Sequence, residues 1–355
     1  MIEELRLSNS EMATWRDCRR KWYLGVYHGY KPKKFDFGRP TGLGTRVHDV
    51  LSLHYDPRIE TFDAIGYIKE MGRKDIEDHP SYEDDITKDV MLATIMVEGY
   101  LQWLEEEGVD SDLRMVAPEA IMETPMAVWQ NRGHKVPINL LSKIDARVER
   151  EYDGVRFSLE HKTVQSLTTP LPLLQIDSQL LTEHLTEYLA LRSEVGDEEA
   201  SERRAGGVLY NMMKKVKRTA SAKPPFYGRE EVRHNMNELR NHWTHVMSIA
   251  DDILNAHADL EEGKSHQEVC YPSPGKDCTW KCDFFNVCGM FDDGISDTEM
   301  AMNDLYVKKN HLERYDEATP FEKYLTTEAG ASTITQEESD RRSEMSNEEV
   351  AHVTN

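Results

Sequence analysis

Apolar residues recur at helical spacing through most of the first hundred positions. Ser8 and Glu11 have the spacing of a helix N-cap pair, and the large apolar residues that follow are three or four positions apart: Met12, Trp15, Cys18 and Trp22. A second helix is predicted over TRVHDVLSLHY, and a third from Ile86 to Leu104, ended by Gly108. The N-terminal region is therefore predicted to be mainly helical.

Between Met115 and Thr163 the pattern changes to short β-prone runs separated by proline and glycine. The stretch GGVLYNMM predicts another buried strand, whereas QLLTEHLTEYLALR predicts a helix that begins near Gln179. Helices that flank a small sheet indicate an α/β or α+β fold.

The dipeptide Asp153-Gly154 predicts a tight two-residue hairpin turn, since both residue types tolerate positive φ. In the resulting register, Asp145 lies opposite Lys162. Because side chains alternate along a strand, one face of this hairpin is mostly charged and collects Lys143, Asp145, Arg147, Glu149, Ser158, Glu160 and Lys162. The same alternation is also typical of a half-exposed hairpin at a sheet edge that has no further role.

The chain has 355 residues, enough for one large domain or two ordinary ones. Its net charge is −22, and residues 291–355 contain 16 acidic and 6 basic residues. Such acidity is not typical of proteins that bind polyanions tightly without sequence preference, because that mode depends on Lys and Arg. No signal-peptide pattern opens the chain, and no apolar run reaches the roughly 18 residues of a membrane helix. A soluble, cytoplasmic protein without membrane contact is expected.

Three of the five cysteines lie close together in CTWKCDFFNVC, as Cys278, Cys282 and Cys288. Closely spaced thiols in a reducing compartment indicate a metal centre, and a four-thiolate site needs one more ligand. Cys18 on the first helix is the natural candidate and would connect the start of the chain to its end, although Cys270 can replace any of the four. The spacing fits a zinc site as well as an iron–sulfur cluster.

The hairpin supplies candidate catalytic residues. Asp145 and Glu160 offer two hard oxygen ligands on adjacent strands, and Lys162 adds an ammonium group two residues beyond Glu160. Such carboxylates bind Mg²⁺ or Mn²⁺, and the ion activates water and neutralises charge on a phosphate under attack. These residue types suit phosphodiester hydrolysis, with Lys162 orienting the water or stabilising the transition state.

These motifs resemble those of the PD-(D/E)XK nuclease superfamily, and within it the RecB-like branch with an iron–sulfur cluster, which includes the AddB nuclease domain and the CRISPR-associated RecB-like exonucleases. The resemblance covers roughly Leu5 to Met290. Its most specific feature is the order of the motifs, with one cysteine early and three after the catalytic core. The motifs are SNSEMATWRDCRRKWYL, GTRVHDV, SKIDARV, LEHKT, DSQLLTEHLTEYLA and the three-cysteine segment.

The resemblance implies a restriction-endonuclease-like core, a small mixed sheet flanked by helices, with an N-terminal helical region and a C-terminal iron–sulfur cysteine segment. It implies that His48, Asp145 and Glu160 hold Mg²⁺ or Mn²⁺, with the backbone carbonyl of His161 as a further ligand and Lys162 as the catalytic lysine. It also implies a 4Fe-4S cluster on Cys18, Cys278, Cys282 and Cys288.

Two positions depart from the family pattern. Gln179 corresponds to the family's DNA-contacting glutamine, which usually has a tyrosine four residues later, but this chain has Glu183 at that position. Cys278 and Cys282 are separated by three residues, whereas the family usually has two.

The expected organisation is a nuclease domain over residues 1–290, with a helical insert at about 50–112, and an acidic, largely mobile tail over 291–355. The basic run that contains Lys214, Lys215 and Lys217 is a candidate DNA contact, although such runs are commonly just solvated faces.

The expected function is that of a metal-dependent DNA exonuclease acting on single-stranded or duplex ends. Recombination, repair, and phage or CRISPR DNA processing are compatible settings, with a recombination or CRISPR-adaptation protein as a partner. The alternatives are a non-catalytic iron–sulfur DNA-binding or adaptor protein and a zinc-stapled nuclease.

Overall fold

The computed structural model describes residues 2–33, 41–196, 200, 205–327 and 330. The chain divides into two compact units. The larger unit is formed by residues 1–39, 111–214 and 225–317, and the smaller by residues 40–110, 215–224 and 318–355.

The described residues form the following elements. The strands are β1 (Leu5–Ser8), β2 (Tyr30–Pro32), β3 (Leu113–Asn131), β4 (His134–Arg150), β5 (Val155–Val164), β6 (Ala205–Lys214), β7 (Tyr227–Val232) and β8 (Tyr306–Lys308). The helices are α1 (Asn9–Asp17), α2 (Arg19–Trp22), α3 (Thr41–His54), α4 (Ala64–Asp78), α5 (Glu83–Glu107), α6 (Ser178–Val195), α7 (Met236–Glu261), α8 (His266–Val269), α9 (Cys278–Lys281), α10 (Phe285–Cys288), α11 (Thr298–Leu305), α12 (Glu313–Asp316) and α13 (Pro320–Leu325).

A mixed six-stranded sheet is the centre of the larger unit. Strand β3 runs antiparallel along one edge of β4 for its whole length. On the other edge of β4, β1 pairs in parallel with Ile138–Leu141, and β5 pairs antiparallel with Ala146–Arg150. Strand β6 lies parallel to β5, and β7 is antiparallel to β6. The prediction of a small mixed sheet flanked by helices is confirmed.

The hairpin between β4 and β5 has a wider turn than predicted. Its loop comprises the four residues 151–154 instead of two. The Asp153 carboxylate accepts hydrogen bonds from the Arg150 guanidinium at 2.6 Å and from the Val155 backbone N–H at 3.2 Å. These bonds stabilise the wider loop, so the prediction of a two-residue turn is wrong.

The wider loop shifts the pairing register by two residues. Arg147 pairs with Ser158 rather than with Glu160, so the predicted opposition of Asp145 and Lys162 is also wrong. An even shift leaves each side chain on its predicted face, because the side-chain period of a strand is two. Asp145, Glu160 and Lys162 therefore still share a face.

The charged face of this hairpin is covered by protein. Strand β5 lies between β4 and β6 inside the sheet, and Ser158 and Glu160 on it are buried. Helix α6 packs over this face, where Glu187 accepts two hydrogen bonds from Arg147 at 2.7 and 2.9 Å. The interpretation as a solvated edge hairpin is therefore wrong.

Local capping interactions fix the helices that were predicted from sequence. The Ser8 hydroxyl accepts the backbone N–H of Glu11 at 3.2 Å at the start of α1. The Asp177 carboxylate accepts the N–H of Gln179 at 2.7 Å and begins α6. Helix α5 ends at Gly108, which has φ +61°, because glycine adopts the left-handed conformation without strain.

One large apolar cluster joins the first strand and helix of the larger unit to its sheet and its longest helix. It includes Leu7 of β1, Trp15 of α1, Leu140 of β4 and Leu254 of α7, all of which are buried. The smaller unit is helical: α3, α4, α5 and α13 pack together, with Ile68 and Val97 in the interior.

Part of the region after residue 291 forms regular secondary structure. Helices α11 and α12 and strand β8 belong to the larger unit, and β8 pairs with β2 through Tyr30 and Lys308. Met302 and Tyr306 are buried in the same apolar cluster as Leu24 and Phe284. The expected domain boundaries and the mobility of the acidic tail stay predictions, and residues 328–329 and 331–355 of this tail lie outside the described residues.

None of the helices in the part of the chain that the structure describes is long and apolar enough to cross a bilayer.

Candidate active site

Asp145 lies where two ladders along one edge of β4 meet. Strand β1 pairs up to Leu141 and β5 pairs from Ala146 onward, so Asp145 falls in the segment between them. Its carboxylate oxygen Oδ2 accepts the backbone N–H of His161 on β5 at 2.8 Å. This side-chain contact continues the connection between β4 and β5 beyond their ladder and places the carboxylate beside Glu160 and Lys162.

Glu160 and Lys162 form an ion pair on the same face of β5. The ammonium group of Lys162 donates to Oε1 of Glu160. Glu160 is buried, whereas the side chain of Lys162 is 34% exposed. The pair therefore reaches solvent through the lysine.

Gln179, at the start of α6, connects this pair to a further carboxyl group. Its Nε2 donates to Oε1 of Glu160 at 2.8 Å and to Oε1 of Glu183 at 2.9 Å, and its Oε1 accepts from Nζ of Lys162 at 3.2 Å. Residues four apart on a helix lie on one face, which is why Gln179 and Glu183 meet the same site.

The electrostatics of the site favour a charged lysine and a neutral Glu183. Burial by itself would lower the pKa of Lys162, but the charges of Glu160 and then Asp145 outweigh burial, so the pKa of Lys162 is raised. Burial raises the pKa of Glu183 well above its ordinary range, and the nearby charge of Glu160 adds to this effect. Lys162 thus remains a cation at neutral pH.

The other residues of the predicted site lie on several different elements. His161 is buried on β5, where its Nδ1 lies 3.3 Å from Nδ2 of Asn211. His48 lies on α3 in the smaller unit, and its role as a ligand stays a prediction. Lys214 ends β6 in the larger unit, and Lys215 and Lys217 lie in the 215–224 segment of the smaller unit. Their DNA-contact role also stays a prediction.

Within the described ranges, no group of three or more His, Cys, Asp or Glu side chains is arranged to hold a metal ion. The donor chemistry at Asp145 and Glu160 nevertheless suits a divalent cation, since two carboxylates and a backbone carbonyl are oxygen ligands of the kind that Mg²⁺ and Mn²⁺ prefer.

Four of the five cysteines line one cavity of about 430 Å³: Cys18, Cys278, Cys282 and Cys288. The backbone N–H groups of Ser273 and Gly275 donate to sulfur, at 3.3 Å from Sγ of Cys18 and of Cys278 respectively. Burial raises the pKa of the Cys282 and Cys288 thiols. A cavity lined by four thiols with N–H donors to sulfur fits a centre that takes thiolate ligands.

Cys270 stands outside this cavity and is buried. Burial raises the pKa of its thiol to about 12, so it stays protonated and behaves as a small apolar side chain. This arrangement favours the set with Cys18 over any set that includes Cys270.

Two side-chain pairs near the site, each with a buried glutamate of α6, were not identified from the sequence. Glu183 was noted only as a departure from the family tyrosine, although its spacing of four from Gln179 is the signal that would have placed it at the site. The sequence contains no comparable signal for the pair of Arg147 and Glu187, because these residues are 40 positions apart.

Comparison with known proteins identifies one family. Residues 6–289 match the model of the PD-(D/E)XK nuclease superfamily. No curated protein matches the chain. Among solved structures, the chain is similar to one described as "Crystal structure of SSO0001", with 17% identity, 59% of this chain and 78% of that chain covered, and a TM-score of 0.26.

Proposed function

The chain belongs to the PD-(D/E)XK nuclease superfamily, and on that premise we propose that it is a metal-dependent deoxyribonuclease that hydrolyses DNA from its ends, preferentially single-stranded ends. One observation carries the proposal. Asp145, Glu160 and Lys162 come together where β4 and β5 separate, with Asp145 on the His161 N–H and Lys162 on Glu160.

Asp145, Glu160 and the backbone carbonyl of His161 would hold the Mg²⁺ or Mn²⁺ that nucleases of this superfamily usually use, and the resemblance adds His48 to this set. When bound, the ion supplies an activated water and neutralises charge on the phosphate. Lys162 carries a positive charge and is partly exposed. It therefore serves as a hydrogen-bond donor to the phosphate oxygens rather than as a base.

Assignment to the RecB-like branch, and with it the preference for DNA ends, rests on the motif order. The four-cysteine cavity supports it, because that branch has one cysteine before the catalytic core and three after it. We infer a structural 4Fe-4S cluster on Cys18, Cys278, Cys282 and Cys288. A zinc ion on the same four thiols is the alternative, and metal analysis of the purified protein distinguishes them.

The test is cleavage of labelled single-stranded DNA with either the 5′ or the 3′ end blocked, in Mg²⁺ and in Mn²⁺. Asp145→Asn keeps an oxygen that accepts the His161 N–H but removes the charge, so it is expected to fold and to lose activity. Lys162→Met removes one donor to the transition state, which lowers the rate by about 10²- to 10³-fold.

Lys135→Met is the matched control, because Lys135 is an exposed lysine near the other end of β4, and it is expected to cleave like the wild type. Equal cleavage by the wild type and Asp145→Asn would contradict the nuclease proposal and favour the non-catalytic DNA-binding or adaptor function. Digestion of a substrate blocked at both ends would contradict the exonuclease assignment alone.

A further inference from the structure

The amide of Gln179 has both of its donors engaged inside the protein. A primary amide has two N–H donors and one oxygen acceptor. One N–H of Gln179 goes to Glu160 at 2.8 Å and the other to Glu183 at 2.9 Å, while the oxygen accepts from Lys162 at 3.2 Å. In this arrangement the amide has no remaining N–H donor for a DNA phosphate.

The orientation of this amide follows from the charges around it. With the nitrogen and oxygen exchanged, the carbonyl would face the two carboxyl groups of Glu160 and Glu183, and the NH₂ group would face the ammonium of Lys162. The hydrogen bonds to Glu160 and from Lys162 would both be lost. Only the orientation found satisfies all three partners.

Glu183 is held in a fixed position under the site. It is 2% exposed, and its second oxygen, Oε2, is buried without a hydrogen-bond partner among the described residues. A buried acid with one unsatisfied oxygen lowers the stability of the folded state. Its first oxygen, Oε1, accepts the Gln179 N–H at 2.9 Å.

The neighbours of Glu183 on α6 prevent the helix from turning to relieve this cost. Thr182 Oγ1 lies 2.9 Å from Nε2 of His242, and Thr186 Oγ1 lies 2.9 Å from the hydroxyl of Ser142. Contacts on both sides of Glu183 therefore hold the carboxyl group against the Gln179 amide.

We propose that Glu183 is a positioning residue for the reaction, which holds the Gln179 amide so that this amide orients Glu160 and Lys162. In the family pattern a tyrosine follows the glutamine by four residues, and the pair is associated with DNA contact. In this chain the pair faces inward and serves the catalytic groups. The expected change in kcat rests on the proposed nuclease function.

The test compares substitutions at Glu183 with a matched substitution one turn along the same helix. Glu183→Ala removes the acceptor of the Gln179 N–H, and kcat on single-stranded DNA is expected to fall by about 10- to 100-fold with KM unchanged. Glu183→Gln keeps an acceptor oxygen and is expected to restore most of kcat. Glu187→Gln alters another fully buried acid of α6; it is expected to lower the melting temperature and to leave kcat near the wild-type value.

The outcomes separate positioning from DNA binding and from general destabilisation. An increase in KM with kcat unchanged in Glu183→Ala would overturn the proposal in favour of a DNA contact. A parallel fall of kcat and melting temperature in Glu183→Ala and Glu187→Gln would also overturn it, because that is the signature of a purely structural role. If Glu183→Ala does not fold, Glu183→Met, which fills a similar volume and has no oxygen acceptor, provides the same comparison with Glu183→Gln.

A second measurement does not depend on turnover. Acetylation of Lys162 by a water-soluble anhydride, followed by mass spectrometry, reports how firmly the ammonium is held. Its rate is expected to rise several-fold in Glu183→Ala and to stay at the wild-type value in Glu187→Gln. An unchanged rate in Glu183→Ala overturns the positioning role, whereas a raised rate in a protein that cleaves no DNA overturns only the proposed function.

Discussion

Buried polar side chains line α6, the helix that packs over the face of the sheet with the candidate site. Helix α6 buries five of them in succession or nearly so: Thr182, Glu183, His184, Thr186 and Glu187. Each has a hydrogen-bond partner, and an unsatisfied polar group in such a place costs roughly 1–3 kcal/mol. These hydrogen bonds therefore fix the position and rotation of α6 on the sheet more specifically than apolar contacts would.

The buried side chain of His242, which contacts Thr182 of α6, makes the free energy of unfolding depend on pH. Burial, with a smaller contribution from His245, lowers the pKa of His242 to about 4, whereas an unfolded histidine titrates near about 6.5. Between these values the unfolded chain binds more protons than the folded one, so stability is lost as pH falls. We expect the free energy of unfolding to decrease from pH 7 to pH 5, by up to about 1.4 kcal/mol per pH unit for this histidine.

Urea unfolding at several pH values measures this slope. His242→Gln is expected to flatten it, and His134→Gln, at an exposed position at the start of β4, is expected to leave it unchanged. His184 contributes in the same direction, because burial lowers its pKa to about 4 as well. Equal slopes for the wild type and His242→Gln would contradict the assignment.

Single residues also show why the site was only partly predictable. Asp145, Glu160 and Lys162 could be grouped on one face from strand alternation alone, since a register error of two residues preserves the face. The engagement of Gln179 with Glu160 and Lys162 depends on how α6 is rotated over β5. Sequence spacing along one helix contains no information about that rotation.

Among the strands and helices, the predictions held where a local interaction decides the structure. Ser8, Asp177 and Gly108 act within one turn of their helices, and those helix ends match the predictions. The hairpin turn is an exception, because the bonds of the Asp153 carboxylate with Arg150 and Val155 stabilise a longer loop. A two-residue turn with positive φ at both positions does occur, at Arg132 (+50°) and Gly133 (+79°), whereas the Asp153-Gly154 dipeptide belongs to a four-residue loop.

The pairing of β6 with β7 depends on one glycine. Gly207 has φ +116°, and a Cβ atom there would lie 2.1 Å from the carbonyl oxygen of Val232. Gly207→Ala is expected to lower the free energy of unfolding by roughly 3 kcal/mol, because backbone strain and a steric clash act together. Denaturant unfolding measures the change.

Gly228 on β7 is the matched control for this substitution. Its added Cβ would meet only the Met212 methyl group, at 3.7 Å, an ordinary van der Waals distance. Gly228→Ala is expected to change stability by less than about 1 kcal/mol. A loss of equal size at both positions would show that the geometry of Gly207 is not the cause.

The larger unit is assembled from three separate stretches of chain, and its two ends meet at the cysteine cavity. Cys18 comes from the first stretch, and Cys278, Cys282 and Cys288 come from the last. A centre bound by all four would therefore cross-link the beginning and the end of this unit, which stabilises the folded state as any tightly bound ligand does.

Cys282→Ser removes one of these ligands. It is expected to lower the iron content of the purified protein and to lower its melting temperature by roughly 10 °C. Iron analysis and thermal melting, both under anaerobic conditions, measure the two effects. Cys270→Ala is the control: it removes a buried thiol outside the cavity and is expected to reduce stability while iron stays at the wild-type level. Full iron content in Cys282→Ser would contradict the four-cysteine assignment.

Arg20 makes a second connection between the same two stretches, and it needs no metal. Its buried guanidinium donates to the carbonyl oxygen of Cys270 at 3.0 Å and to the Asp292 carboxylate at 2.9 Å. Arg20 thus connects the segments that carry the four thiols without a bound metal. A metal centre on the four thiols would then be inserted into a folded protein, and the chain without its metal would stay folded, although it would be less stable.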